Sequence, residues 1–405
     1  MKCQQPGSGG YPLSGVKILD LTRATAGPFA SMMMADLGAE VIKIENPDAR
    51  GMTGRDKYDP EYLIGGEEAH FLALNRNKKS IAINLKEPKG KEVFIELAKS
   101  CDVVLDNFKP GVRRRLGIDY ETLAGANSRI ISCSITGFGP TGPYADRPAF
   151  DVVVQATSGM MAFIDKRDSE DRPNWSRAAM ADLAGGMLSA YGVTAALYRR
   201  QQTGKGQEVN ISLQDALVAL LIDYALYPLN LGFFRDPVAG YLWGTFRTKD
   251  RYIVIYAHWD GLFKGLCQAL GREEWLADSR FGSTLKRTEN REQLFRLIEE
   301  VLCTKPASEW VQLIGKANVP CAIVNSVEEA VNDPQTVHQN MVVNVLNPDG
   351  QRVKLLGNPI KMSDIQDQVF VFPPTLGQHT SEILRDLLGY TDQKIDELRA
   401  ERIIQ

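Results

Sequence analysis

The chain has 405 residues, 44% of them hydrophobic and 24% charged, with a formal net charge of −3 at neutral pH. That length exceeds what one hydrophobic core usually serves, so two subdomains are expected, and the near balance of charge leaves no electrostatic footprint for nucleic acid. The opening MKCQQPGSGGYPLSG lacks a signal-peptide core, and no later run reaches the roughly 18 unbroken apolar residues of a membrane span. A cytoplasmic protein is therefore expected, or an organellar one after loss of a transit segment.

In chain order, GVKILDLT (15–22) predicts a buried strand, GPFASMMMADLG (27–38) a helix opened by proline, and AEVIKIE (39–45) a second strand. This is a βαβ unit, the signature of a parallel sheet. Strand SIAINL from Ser80, helix PKGKEVFIELAKS to Ser100, strand DVVLDNF from Asp102 and strand RIISCSI from Arg129 continue it. The fold class is α/β, a doubly wound parallel-sheet domain. A long helix follows over 182–201, closed near TGKG by Gly204 or Gly206, then strand QEVNISL and a helix from Gln214. Beyond about Asn230 the texture changes to a hairpin turned at Lys249 and Asp250, then helices, the marks of a smaller α+β domain. The expected division is 1–228 for the first part of the large domain, 229–335 for the small one, and 336–405 returning to the large domain through a helix over 381–388.

A doubly wound sheet binds ligands at the carboxyl ends of its strands, which directs attention to TRATAGP, ENPDARG, NFKPGVRRR and TGFGPTGPY. No phosphate-binding P-loop pattern occurs, and GFGPTG (137–142) follows a late strand with Pro140 and Pro143 removing amide donors, so it reads as a glycine-rich turn. The six cysteines (Cys3, Cys101, Cys133, Cys267, Cys303, Cys321) form no C-x-x-C pair, and His70, His258, His338 and His379 show no metal-ligand or nucleophile-elbow spacing. No metal site and no disulfide framework are expected. The basic stretches NRNKKS (75–80) and NFKPGVRRRLG (107–117) suit a phosphorylated nucleotide carrier, or else a solvated charged face. In AAMADLAGGMLSAYG the single charge, Asp182, fits two readings: the N-cap of the long helix, or a carboxylate held charged at a helix N-terminus and available as a nucleophile. Gly185 and Gly186, one turn on, are expected to leave space for a ligand.

Taken together, LDLTRATAGPFASMMMADLGAEVIKIENP, LNRNKKSIAINLKEPKG, DVVLDNFKPGVRRRLGIDYETL, SITGFGPTGPYADRPAFDVVVQATSG and MADLAGG occur in the order of one family. The chain resembles the family III coenzyme A transferases. The resemblance implies a Rossmann-like large domain made from both chain ends, an inserted small domain, and a homodimer of interlocked subunits. It implies Asp182 as the covalent nucleophile, passing through a mixed anhydride and an aspartyl-CoA thioester. It implies no tightly bound cofactor, with coenzyme A and its acyl esters as substrates alongside a small carboxylic acid.

Residue by residue, the resemblance carries CoA binding to Asn107, Phe108 and Arg115, the adenine and phosphates to Lys78 and Lys79, and the thioester's flanks to Ala24 and Thr25. Thr25 departs from the formyl-CoA transferases, which carry glutamine there, and Asn46 stands where relatives often place arginine; formyl and oxalyl substrates are not expected. The α-methylacyl-CoA racemases share the aspartate but need a histidine where this chain has Phe150, which cannot shuttle a proton. Asp151, retained beside it, is expected to cap the helix it opens or to touch substrate. The opening and the hairpin look most like members using succinyl-CoA and small dicarboxylates. Arg23 is the candidate partner of a distal carboxylate, with a structural ion pair as the alternative.

Overall fold

Short apolar stretches of the N-terminal half form six parallel strands joined by helices. The computed structural model describes residues 10–47, 55, 63–164, 171–234, 240–365 and 368–405. The chain divides into two units, Met1–Ile222 with Gln339–Gln405, and Asp223–His338.

In the larger unit β1 (Lys17–Asp20), α1 (Ala26–Asp36), β2 (Glu40–Glu45), α2 (Ala69–Asn75), β3 (Lys78–Ala82), α3 (Pro88–Lys99) and β4 (Val103–Asp106) come first. Then follow α4 (Pro110–Leu116), α5 (Tyr120–Ala126), β5 (Ile131–Thr136), α6 (Asp151–Thr157), α7 (Met160–Ile164), α8 (Met180–Thr203), β6 (Gln207–Ser212) and α9 (Leu213–Ala219). The strands lie in the order β3-β2-β1-β4-β5-β6, all parallel. The order reverses between β1 and β4, and the crevice beyond the carboxyl ends of those two strands is where such sheets bind ligands.

Both faces of the sheet are covered, so its strands are apolar on both sides. Ile18, Val41, Val103 and Leu105 point to one core with Ala30 and Met34 of α1 and Ala184 and Val193 of α8. Leu19, Ile42 and Val104 point to the other, with Val93 and Phe94 of α3 and Leu123 of α5.

The smaller unit begins with α10 (Leu226–Leu231) and the antiparallel pair β7 (Trp243–Arg247) and β8 (Tyr252–Tyr256), turned through Lys249 and Asp250. After α11 (Asp260–Leu270), α12 (Thr284–Glu289), α13 (Arg291–Leu302) and α14 (Ala307–Lys316), β9 (Cys321–Ile323) joins β8, and α15 (Val327–Asn332) and α16 (Pro334–His338) end the unit. Phe263, Ile298 and Ile314, from α11, α13 and α14, share its core with Phe246 and Ile253. In the returning segment β10 (Val342–Leu346) and β11 (Arg352–Leu356) form a hairpin, and α17 (Thr380–Leu388) and α18 (Asp392–Ala400) supply Ile383, Leu384, Ile395 and Leu398 to the second face of the large sheet. Among the described residues no helix is long and apolar enough to cross a membrane.

Strand β3 starts at Lys78, two residues earlier than its sequence suggests, and this changes what Lys78 does. Its side chain is wholly buried, and its ammonium donates to Asp20 Oδ2 at 3.1 Å, to Asn75 Oδ1 at 3.0 Å and to the Pro28 carbonyl at 3.0 Å. The expected contact of Lys78 with CoA phosphates is thus corrected: its three donors are consumed internally. Burial disfavours the charged form of Asp20, but the ammonium groups of Lys78 and Lys43 and the hydroxyls of Ser31 and Thr22 outweigh it and hold the carboxyl at about 2. Burial also pushes Lys78 down to about 8, so the pair is ionised at neutral pH. The folded pKa of Asp20 lies below its unfolded value, so its stabilisation is present above the ordinary carboxylate range and is lost as pH falls toward about 2. Lys78→Met leaves a buried carboxylate short of its partner and should cost about 3–5 kcal/mol by urea denaturation at pH 7. That deficit should narrow as the pH is lowered below about 4, where the Asp20 contribution fades in the parent.

Candidate active site

Two strand ends shape the crevice by the same local device. At the end of β1, Asp20 Oδ1 accepts the Thr22 amide at 2.9 Å, turning the chain sharply. At the end of β4, Asp106 Oδ1 accepts the Phe108 amide at 3.1 Å, and Asp106 pairs with Arg113 at 3.1 Å. The two loops are then stitched together: Asn107 accepts the Arg23 amide through Oδ1 at 3.1 Å and donates from Nδ2 to the Arg23 carbonyl at 2.8 Å. This clamp precedes Ala24, whose φ of 57° is the left-handed conformation that a residue with a Cβ seldom adopts. Thr25 follows and opens α1.

Helix α8 begins at Met180, with Ala179 at the N-cap position and no capping from its own side chain. Asp182 therefore sits inside the first turn, and the reading of it as the N-cap is corrected. The cap comes from another helix. Asp151, the first residue of α6, accepts the amides of Ala181 at 2.7 Å and Asp182 at 3.2 Å through Oδ1. It caps α8 rather than the helix it opens, where Phe150 is the N-cap.

The expectation that the helix end keeps Asp182 charged is also revised. Burial, then the negative charge of Asp151, push its pKa up to about 6, and the Thr25 hydroxyl opposes them only in part. The helix amides that could have stabilised the Asp182 carboxylate are engaged by Asp151.

Asp182 lines a cavity of about 400 Å³ with Arg23, Ala24, Thr25, Asn107, Phe108, Lys109, Arg147 and Phe150. A second cavity of about 450 Å³ shares Arg23, Phe108 and Val112 with it and extends past Asn46, Lys86 and Arg115. The Arg23 guanidinium lies 5.7 Å from the centre of the Phe108 ring. Together the two cavities form a cleft with a carboxylate at one end and cations along its length. Nine of the residues singled out from the sequence thus converge here: Arg23, Ala24, Thr25, Asn107, Phe108, Arg115, Phe150, Asp182 and, behind Asp182, Asp151. Lys86 was missed, although it follows β3 and so belongs to a strand's carboxyl end, the feature used for the other loops. Lys79 is elsewhere: it faces Glu40 at 2.9 Å and Glu382 at 2.8 Å beside His379, in a separate cavity. Its expected place at the adenine and phosphates is therefore not where the cleft runs.

Gly185 and Gly186 are buried and do not open space for a ligand. A Cβ on Gly185 would stand 2.4 Å from Leu213 Cδ2, and one on Gly186 would stand 2.6 Å from the Ala26 carbonyl oxygen. Their lack of side chains lets α8 lie directly against α9 and the start of α1, which carries Thr25 to Asp182. Asp182 reaches the cleft because its helix packs this closely.

A doubly wound sheet with a half-buried, electrostatically raised carboxylate and a cation-lined cleft at its switch point defines an α/β protein suited to acyl transfer from an anionic carrier. The chain belongs to CoA-transferase family III, whose family model matches residues 13–380. It is 36% identical over 404 residues to the succinyl-CoA:glutarate CoA-transferase of Homo sapiens, covering 97% of this chain and 90% of that relative. It is 37% identical over 364 residues to the acetyl-CoA:oxalate CoA-transferase of Acetobacter aceti, covering 88% and 90%. Its fold matches the crystal structure of a CAIB/BAIF family protein from Brucella suis with a TM-score of 0.81, at 33% identity and over 94% of this chain and 100% of that one.

Ionised Asp182 is an unfavourable charge in the folded state, because its folded pKa lies above its unfolded value. The cost is absent below the ordinary carboxylate range and fully present once pH rises through about 6. Asp182→Asn should therefore stabilise the protein at pH 7.5 by up to roughly 3 kcal/mol, seen as a higher thermal midpoint, and the gain should disappear on acidification toward about pH 4.

Proposed function

We propose that this CoA-transferase moves CoA from succinyl-CoA or another short dicarboxylyl-CoA to a carboxylic acid acceptor, with Asp182 as covalent nucleophile. The observation that carries this reading is the placement of Asp182 in a cleft whose other charged walls are Arg23, Lys109 and Arg147. A carboxylate among cations suits a thioester substrate that is itself anionic.

In this reading an Asp182 carboxylate oxygen attacks the thioester carbonyl carbon, the C–S bond breaks, and CoA thiolate leaves with the electron pair. The thiolate then attacks the aspartyl carbonyl of the mixed anhydride, releasing the first acid and leaving an aspartyl-CoA thioester. The incoming acid reverses both steps and departs as its CoA ester. Exchanging one thioester for another is nearly thermoneutral, so no nucleotide triphosphate is needed, and splitting the transfer at an enzyme carboxylate is ordinary covalent catalysis. Arg115 and Lys86, farther along the cleft, are assigned to the phosphates of the carrier. The side chains that α8 leaves exposed, Met187, Leu188, Tyr191 and Tyr198, support association of two copies as an interlocked homodimer.

Phe150 is 57% exposed and lines the cleft where a racemase needs a proton-transferring histidine. That favours transfer over α-proton exchange, and a branched acyl-CoA incubated in deuterium oxide should gain no label at its α-carbon. Incubation with succinyl-CoA followed by hydroxylamine should mark Asp182 by mass spectrometry, and Asp182→Ala should lose activity by at least about 1,000-fold. An unmarked Asp182, or normal turnover by the alanine variant, would defeat the covalent route, and a parent protein with no turnover at all would leave a silent CoA-binding protein as the alternative. A panel of free acids offered succinyl-CoA and acetyl-CoA then identifies the acceptor, with oxalate included because several relatives are named for it. Arg23→Ala should raise KM for dicarboxylic acceptors by about tenfold or more while leaving monocarboxylic ones nearly unchanged, as expected for loss of one charge-assisted contact.

A further inference from the structure

The carboxylate of Asp151 is fixed from both sides. Its Oδ1 takes two amides of α8, and its Oδ2 accepts from Gln155 Nε2. Gln155 is completely buried, and it also donates to the Ser176 carbonyl at 3.1 Å and accepts the Ser176 amide at 2.9 Å. A glutamine spent in this way holds Asp151 in one orientation, with its charge directed at the start of α8.

We propose that Asp151 is a positioning residue for reaction at Asp182: it withholds the α8 amide donors from Asp182 and sets a fixed negative charge behind it. The inference rests on the reading of Asp182 as nucleophile. When the Asp182 oxygen bonds to the acyl carbon and the C–S bond breaks, one negative charge moves from the aspartate to the CoA sulfur. Repulsion between the two aspartates is present before that step and relieved by it. A free helix end would do the opposite, stabilising the carboxylate and weakening it as a nucleophile.

The other ionisable groups near α8 do not supply this effect. Arg23, Lys109 and Arg147 line the cleft, where positive charge favours the ionised form of Asp182. Exposed Arg177, in the segment leading into α8, has the same sign. Of the elements packed on α8, α1 carries Asp36 at its far end, bound by Arg76 at 2.6 Å, and α9 carries exposed Asp215. Strand β5 carries Cys133, a thiol that burial pushes up to about 12, and β6 carries Glu208, paired with Arg113 at 3.0 Å.

Asp151→Asn keeps an oxygen for the helix amides and removes the charge; Asp151→Ser does the same with a shorter side chain and serves if the first variant folds poorly. The pH dependence of carbodiimide labelling of Asp182, read by mass spectrometry, reports its ionisation without requiring turnover. In both variants the labelling midpoint should move down by about one pH unit relative to the parent. The acid limb of single-turnover acylation by succinyl-CoA should move with it, and the plateau rate should fall roughly threefold as nucleophilicity follows basicity. KM for the acyl-CoA should stay within about twofold, as expected of a residue that touches neither carrier nor acid. A labelling midpoint that stays in place in both variants reduces Asp151 to a helix cap and overturns the inference, whether or not the parent acylates. A midpoint that moves in the variants while the parent never acylates supports the electrostatic role and sinks the nucleophile reading instead.

Discussion

The ion pair between Asp20 and Lys78 is the constraint on which the cleft depends. Asp20 ends β1, Lys78 begins β3, and the same carboxylate accepts from Thr22 and from Ser31 in α1. Burying two charges is expensive unless every donor and acceptor around them is used, and here Asn75, the Pro28 carbonyl and Lys43 complete the set. Lys43 also donates to the Thr22 carbonyl at 3.0 Å, so both polar groups of the Thr22 backbone are tied down. From Thr22 onward the chain has little choice of path. Arg23 is clamped by Asn107, Ala24 is held at its unfavourable φ, and Thr25 is delivered to Asp182.

The site itself is built by two aspartates with opposite environments. Asp20 is surrounded by donors and cations and is held at about 2, whereas Asp182 has burial and a like charge against it and rises to about 6. The first kind of environment fixes a loop, and the second leaves a carboxylate whose charge is poorly satisfied, as the proposed nucleophile requires. The difference comes from helix ends: at α8 the amide donors are taken by Asp151 before Asp182 can use them. A favourable cap and a destabilised neighbour are one arrangement seen from two residues.

The parallel sheet was legible because strands buried on both faces are written as unbroken apolar runs, and VKILDL, EVIKIE, DVVLD and IISCSI all sit where the six-stranded sheet requires. The loops carrying Arg23, Asn107 and Phe108 were legible because the carboxyl ends of strands are the ligand-binding edge. Charge alone was misleading at Lys78 and Lys79. A lysine at the start of a strand looks the same in sequence as one on a loop, and only the pairing of Lys78 with Asp20 and of Lys79 with Glu40 and Glu382 separates them from Lys86. Gly185 and Gly186 misled in a related way: glycine marks a close approach, and the approaching group turned out to be Leu213 and the Ala26 backbone. The Asp151 cap spans 30 residues of sequence and has no local signature at all.

Choice of acid is the part of the reading that overall similarity does not decide. The chain is 36% identical to a transferase named for succinyl-CoA and glutarate and 37% identical to one named for acetyl-CoA and oxalate. Thr25 and Asn46 argue against an oxalyl substrate only by departing from one subgroup, and the oxalate relative is as similar as the glutarate one. In the proposed reaction, discrimination would fall to the few side chains that line the cavity beside Asp182. Phe150 presents an apolar face there, and Arg23 offers a guanidinium supported over Phe108. A second carboxylate several carbons from the reacting one can reach such a cation, whereas oxalate has no spacer and a monocarboxylate has no second charge. If the proposed reaction holds, selectivity rests on the spacing between Asp182 and Arg23, and the Arg23 end of that spacing is held by the buried Asp20 turn and the Asn107 clamp.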